Sequence, residues 1–318
     1  MAPRRRIGKR LFRSLLPIVL LIAVAVIAAL GLIVYGVVSP PKRAYLVTPE
    51  DFKQISGPVL KATDETWSNP DGTRARGWLL KGAEGAPAVM LLHRYGADRS
   101  WLLNLGVKIN ETTNFTILWP DQRGHGMNPP VSWTSFGTRE ADDVLGALTF
   151  LRTLQSENKK PLVGEAVGLY GVELGAYAAL KAAQRNNQIK VLVLDSVPLS
   201  PDQLLRAAVT VDVGVDNNLL QYLSRGAAKL YLFRAYANAS ACDIAATLRN
   251  QRVLLLTGPD AGYLKDSTAA LQNCFQNLTI LETRIDLPLS GFNLPSATGE
   301  QGEGYDRIVI DFFDRNLR

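Results

Sequence analysis

Residues 169–177 read LYGVELGAY, an apolar run that breaks on Gly-x-Glu-x-Gly and passes directly into the Ala-rich segment LGAYAALKAAQ. A strand that turns so tightly into a helix lifts its middle residue, Glu173, above the sheet edge. Gly171 and Gly175 permit the crowded backbone that such a turn requires. The same alternation continues on both sides. PAVMLLH (87–93), FTILWPD (115–121), KVLVLDS (190–196), RVLLLTG (252–258) and TILETRIDL (279–287) read as strands. Segments with apolar residues at helical spacing lie between them, such as TREADDVLGALTFLRTL (138–154). Continuous apolar strands alternating with helices imply βαβ units and a mostly parallel sheet covered by helices on both faces. Two β-prone runs flanking Asn69-Pro70-Asp71-Gly72 add an opening hairpin.

Between 199 and 250 the alternation is interrupted by a mainly helical insertion, NNLLQYLSRGAAKLYLFRAYA among it. Its Leu, Tyr and Phe residues at helical spacing are expected to be the core of a cap over the strand ends. An apolar pocket for a lipid or peptide, or a face against a membrane partner, are the other readings.

The chain has 35 Lys+Arg and 29 Asp+Glu, a net charge of +6. Residues 1–43 hold eight of the basic side chains and no acidic one, which leaves 27 against 29 over residues 44–318. The basic character therefore belongs to the N-terminal segment, and nothing in the globular part points to nucleic acid. Residues 15–38, LLPIVLLIAVAVIAALGLIVYGVV, are uncharged and nearly all apolar. As a helix they reach roughly 36 Å, enough to cross a bilayer with some tilt. The run is longer than a signal-peptide core and ends in YGVVSPPKR without a small-residue cleavage site, so it reads as an uncleaved anchor. Six basic residues precede it and two follow. The positive-inside bias then places the N-terminus in the cytoplasm and residues 40–318 outside, a single-pass cell-membrane protein whose bilayer contact is residues 15–38. The expected organisation is a basic tail (1–14), a transmembrane helix (15–38), an extended linker (39–59) and one α/β domain (60–318) with its cap insertion.

Cys242 and Cys274 are the only cysteines. Export permits a bridge between them, and two separate buried thiols fit the sequence equally well. Two cysteines and two scattered histidines show no metal-ligand spacing. The glycines of GLYGVELG are spaced unlike a dinucleotide fingerprint, so neither a metal nor a nucleotide cofactor is expected.

Six segments in order carry a family resemblance. NPDGTRARGW (69–78), LLHRYGADRS (91–100), WPDQRGHGMN (119–128), GVELGAY (171–177), LLLTGPD (254–260), and LPLSGFN (287–293) with YDRIVIDFFDRNL (305–317) follow the landmarks of one fold. The chain resembles the α/β-hydrolase superfamily, especially its membrane-anchored esterase- and peptidase-like members. The resemblance implies a nucleophile at 173, an acid after the 252–258 strand, and a histidine where Gly291-Phe292 stands. Here 173 is Glu, Phe292 takes the histidine position, and no His follows residue 125. Asp260 fits the acid position only with a one-residue slip; its other reading is an Asp in a Pro-Asp turn.

By the same resemblance the backbone N–H groups of Tyr95 and Leu174 would form an oxyanion hole. Arg94 replaces the usual Gly after His93, and an Arg94–Glu173 ion pair filling the old site is the expected arrangement. His125, in Asp-Gln-Arg-Gly-His-Gly, reads as an architectural turn. Ser196 and Ser290 lack the flanking glycine pair and are poor nucleophile candidates. The leading expectation is a hydrolase-like pseudoenzyme, a binding or partner-regulating module for an apolar small ligand or a protein. The competing one is an atypical ester or small-amide hydrolase that uses Glu173 with His93 or water.

Overall fold

The apolar runs become the strands of one eight-stranded sheet in a computed structural model that describes residues 4–51, 61–296 and 299–318. Along the chain the elements are α1 (Arg4–Val38), β1 (Thr63–Ser68), β2 (Arg74–Leu80), β3 (Ala86–Leu92), α2 (Leu103–Thr113), β4 (Thr116–Pro120), α3 (Thr138–Thr153), β5 (Val163–Val172), α4 (Leu174–Arg185) and β6 (Ile189–Asp195). The helical insertion follows as α5 (Pro201–Val213), α6 (Asn218–Leu232) and α7 (Ala241–Ala245). The chain then resumes with β7 (Arg252–Leu256), α8 (Tyr263–Gln272), β8 (Leu281–Arg284) and α9 (Gly299–Leu317). The strand order is β1-β2-β4-β3-β5-β6-β7-β8. The opening hairpin pairs antiparallel, β2 joins β4 antiparallel, and every later pair is parallel.

The parallel strands are buried on both faces, which is why their sequences are continuous rather than alternating. One face packs β3, β5 and β6 against α3, α4 and α7 through Leu148, Leu180 and Ile244. The other packs β3, β4 and β5 against α2 and α9 through Leu105, Val309 and Phe313. The last expected strand is shorter than the 279–287 run: Leu278–Ile280 form a 3-10 turn, and only Leu281–Arg284 pair with β7. β8 is the sheet edge and its side chains are only partly covered, so fewer residues gain from pairing.

The extended segment after α1 is tied to the domain. Tyr45 donates its hydroxyl to Asp121 (2.7 Å), and Leu46 N–H donates to Ser100 Oγ (3.0 Å). Residues 52–60 lie outside the described part.

Among the described residues one helix, Ser14–Val38, is long and apolar enough to cross a membrane, with mean hydropathy 3.1. Only its C-terminal end is covered. Val34, Val37 and Val38 are buried against Phe136, Leu174 and the cap residues Leu204, Leu205 and Val209. The last carbonyls of a helix have no intrahelical donor, and here the domain supplies one for each of two. Tyr95 Oη donates to Val37 O (2.7 Å) and Thr134 N–H to Val38 O (2.8 Å).

The cysteines are bridged, Cys242–Cys274, tying α7 of the cap to the end of α8 with a Cα–Cα distance of 5.0 Å. The alternative of two separate thiols is thereby excluded.

Candidate functional site

β3, β5, β6 and β7 end on the same edge of the sheet, the edge where open α/β folds place their ligand sites. Glu173 stands there between β5 and α4 with φ 50° and ψ −106°, a conformation that costs a non-glycine residue energy. Its backbone is clamped, since Glu173 N–H donates to Asp195 O and Tyr177 N–H donates to Glu173 O, both at 3.0 Å. The flanking glycines are required by contact. A Cβ on Gly175 would lie 2.2 Å from Leu92 O, and one on Gly171 would lie 2.5 Å from the Gly175 carbonyl group. The tight strand-to-helix turn read from the sequence is present, with Glu173 at its apex.

The carboxylate folds back rather than outward: Glu173 Oε2 accepts the backbone N–H of Tyr95 at 3.0 Å. That N–H is one of the two donors assigned to an oxyanion hole. The other, Leu174 N–H, lies in the first turn of α4, where backbone N–H groups lack intrahelical acceptors. Glu173 thereby takes up one of the two backbone donors that the sequence reading assigned to such a hole. Burial pushes the Glu173 carboxyl up to about 7, against the opposing field of Arg94 and the Tyr95 N–H bond.

The expected Arg94–Glu173 ion pair does not form. The Arg94 guanidinium is held between the rings of Trp101 and Phe292, 4.4 Å from each centroid, and donates to Tyr95 O at 3.0 Å. The two aromatic faces and the carbonyl hold the cation in place of a carboxylate, and its buried Nε has no hydrogen-bond partner. Phe292, at the histidine position, is therefore one wall of a cation clamp.

His93 turns away from Glu173. Its Nδ1 lies 2.8 Å from Arg94 O, and its Nε2 accepts Gln122 N–H at 3.0 Å. With Nε2 accepting, Nδ1 carries the proton and donates to Arg94 O, so both ring nitrogens are engaged. The His93–Glu173 partnership of the competing reading is not formed in this geometry. Burial holds His93 below the usual imidazole value. His125 packs edge-on beside it, with ring centroids 5.2 Å apart, and burial pushes it down to about 4. Its Nδ1 bonds to Arg123 O at 2.8 Å, as an architectural turn requires.

Asp260 is half-buried in a 3-10 turn after β7. Its two oxygens accept Ser290 N–H (2.8 Å) and Asn293 Nδ2 (3.1 Å), so it braces the 290–293 loop. Ser290 is buried, and its hydroxyl accepts Phe292 N–H at 3.2 Å.

A second carboxylate was not singled out from the sequence. Asp195, the last residue of β6, is fully buried and accepts Gly291 N–H (2.9 Å) and Tyr305 Oη (2.7 Å). Ser196 Oγ lies 2.6 Å from its other oxygen and Tyr170 Oη 2.7 Å from Tyr305 Oη. Burial raises Asp195 to about 6 while these donors oppose the rise. The available signal was an apolar strand, KVLVLD, ending in a charge, which indicates a buried, partnered carboxylate. Asp195 and Asp260 together pin the loop that would carry a histidine, with Phe292 at its centre.

In front of Glu173 lies a cavity of about 400 Å³. Arg94, Tyr95 and Phe292 form its floor with Glu173, α5 of the cap one wall through Leu204 and Val211, and the end of α1 another through Gly36 and Val37. The arrangement offers a pocket with apolar walls and four charged residues in its lining, Arg43, Arg94, Asp212 and Glu173, of which the Glu173 carboxyl is poised near neutrality. It offers no imidazole to carry a proton to or from it.

The fold is similar to that of the Pyrococcus furiosus esterase Pf2001, at 16% identity over 88% of this chain and 100% of that one, TM-score 0.67. It is similar also to the α/β hydrolase GrgF of Penicillium sp. sh18, at 17% identity over 81% of this chain and 99% of that one, TM-score 0.57. A Pyrococcus horikoshii acylaminoacyl peptidase matches 86% of this chain with 44% of its own length, at 14% identity and TM-score 0.58. In sequence, 124 residues are 25% identical to thiohydrolase aneE of Aspergillus aculeatus, 39% of this chain and 37% of that protein's length. No protein-family model matches the chain. The chain has the α/β-hydrolase fold, with an eight-stranded, mostly parallel sheet.

Proposed function

We propose that this protein is a membrane-anchored member of the α/β-hydrolase fold that does not perform Ser-His-Asp catalysis. It acts as a binding or partner-regulating module outside the cytoplasmic membrane. The observation that carries this reading is the bond from Tyr95 N–H to Glu173 Oε2, because the side chain at the nucleophile position fills the site of the developing oxyanion. Phe292 removes the proton carrier from the loop that would hold it, and Arg94 packs on that ring. The 25-residue apolar helix supports anchorage, the basic residues before it support a cytoplasmic N-terminus, and the Cys242–Cys274 bond suits an oxidising compartment. The cavity over Glu173 is the proposed ligand site, suited to a small, largely apolar molecule with one hydrogen-bonding group.

One observation favours a second reading, an atypical hydrolase of esters or small amides. A carboxyl held at about 7 is partly protonated at neutral pH and suits general acid–base work on a water. Hydrolysis of a short-chain chromogenic ester by the full chain in detergent, beside Glu173→Gln and Glu173→Ser, separates the two. No turnover above buffer in any of the three is the expected result. Turnover in the parent that is lost in Glu173→Gln makes Glu173 catalytic and refutes the binding-module reading.

A further inference from the structure

Helix α6 of the cap turns a broad apolar surface outward as well as inward. Its inward residues are Gln221, Ser224, Ala228 and Leu232, whereas Leu219, Tyr222, Leu223, Leu230 and Tyr231 face outward. Leu230 is 81% exposed and Tyr222 70%, and the surface continues into Phe233 at 71%. A helix in water turns its apolar stripe to the core. An outward stripe of this size marks a surface covered by something other than water. The expectation that the insertion's apolar residues form the cap's core holds for Leu204, Leu205, Leu232 and Tyr236 and is corrected for this outward stripe, while Gln221 and Ser224 take inward positions, the former donating to Thr210 Oγ1 at 3.0 Å.

What covers the stripe follows from its neighbour. α6 lies along α1, and a groove of about 740 Å³ runs between them, lined by Ile27, Leu30 and Val34 on one side and Leu223, Gly226 and Leu230 on the other. The apolar helix Ser14–Val38 has 25 residues. Crossing a hydrocarbon layer of about 30 Å takes about 20 of them. If α6 stood in water, Ile27 and everything after it would stand in water as well. Residues 14–26 would then reach only about 20 Å, too short to span. The lengths agree only when residues 27–34, with α6 beside them, lie inside the leaflet on the domain's side.

We propose that α6 is immersed in that leaflet and that the groove between α1 and α6 holds an acyl chain of a bilayer lipid. The inference rests on α1 spanning a membrane, as proposed above. The groove has the width for a chain because both helices present glycine to it. A Cβ on Gly31 or Gly226 would meet nothing within 4 Å. The exposed Arg225 and Lys229, which also line the groove, have long apolar stems that let their charged ends reach toward the headgroups. The placement also brings the cavity over Glu173, walled by Gly36 and Val37 of the same helix, to the membrane surface.

The test uses the full chain reconstituted in phosphatidylcholine–phosphatidylglycerol vesicles containing a phosphatidylcholine with a photoactivatable diazirine in mid-acyl chain. Labelled peptides are mapped by mass spectrometry. Labels are expected on both α1 and residues 219–233. In Gly226→Phe, which fills the groove, labels on the groove lining are expected to fall several-fold relative to those on residues 20–26. Labels confined to α1 overturn the inference and leave the anchor standing. Labels on neither helix overturn the anchor together with the inference. Groove labels unchanged in Gly226→Phe overturn occupancy by a lipid chain.

Discussion

Replacing Glu173 by Gln tests how the site stores its charge. In an unfolded chain this carboxyl titrates near 4.5, while in the fold burial holds it at about 7. Between those values the folded state keeps a proton that the unfolded state has released, so this group lowers stability as pH rises from about 4.5 to about 7. At about 1.4 kcal/mol per pH unit, the full cost of keeping Glu173 ionised above pH 7 is about 3 kcal/mol. Gln keeps a carbonyl oxygen to accept Tyr95 N–H and has nothing to ionise. The variant should therefore match the parent near pH 3.5 and exceed it by about 3 kcal/mol near pH 8.5. For a domain of this size that gain is roughly 6–12 °C in melting temperature. The assay is thermal melting of the full chain in a mild detergent across that pH range, read as the difference between parent and variant so that other titrating groups cancel. A difference that is flat with pH, or that turns against Gln as pH rises, refutes the reasoning. The latter sign is what an Arg94–Glu173 ion pair would produce.

Two further outcomes follow from the same structure. Breaking the Cys242–Cys274 bond with Cys242→Ser plus Cys274→Ser should cost about 3–4 kcal/mol, from the loop-closure entropy of the 32-residue separation. The loss is measured by melting, and dithiothreitol should reproduce it in the parent and leave the variant unchanged. His125, one of the chain's two histidines, should stay neutral from pH 8 down to about 5.5, shown by an imidazole resonance of selectively labelled protein that does not move, and His93 should titrate below the ordinary imidazole value. Both folded values lie below the unfolded one, so the stability these groups contribute is complete above about pH 6.5 and is lost as pH falls, for His125 toward about 4.

The departures from a catalytic α/β hydrolase were legible at the level of residue identity. Glu at 173 and Phe at 292 are visible in the chain, and no fold supplies an imidazole that the sequence lacks. What each departure does was not legible. Glu173 meets Tyr95 N–H across 78 residues of sequence, and Asp195 meets Tyr305 across 110. The choice of Arg94 between a carboxylate and two aromatic rings depends on where Trp101 and Phe292 converge. Spacing along the chain carries no information about such meetings.

The helix in the cap shows the same division from the other side. Its periodicity was plain, but periodicity gives the width of an apolar stripe and not the direction in which it points. The sequence by itself determined the elements: an apolar helix long enough to span, strands buried on both faces, and a glycine-flanked turn that permits a tight backbone path. These rest on short-range sterics and on the periods of helix and strand, which neighbouring residues set. Only the tertiary structure decided that Glu173 folds into the donor of its own site, that Cys242 reaches Cys274, and that α6 turns Leu230 outward beside α1. Each of those outcomes is a competition among partners distant in sequence, and it is settled by which groups the closed sheet and its cap bring within contact.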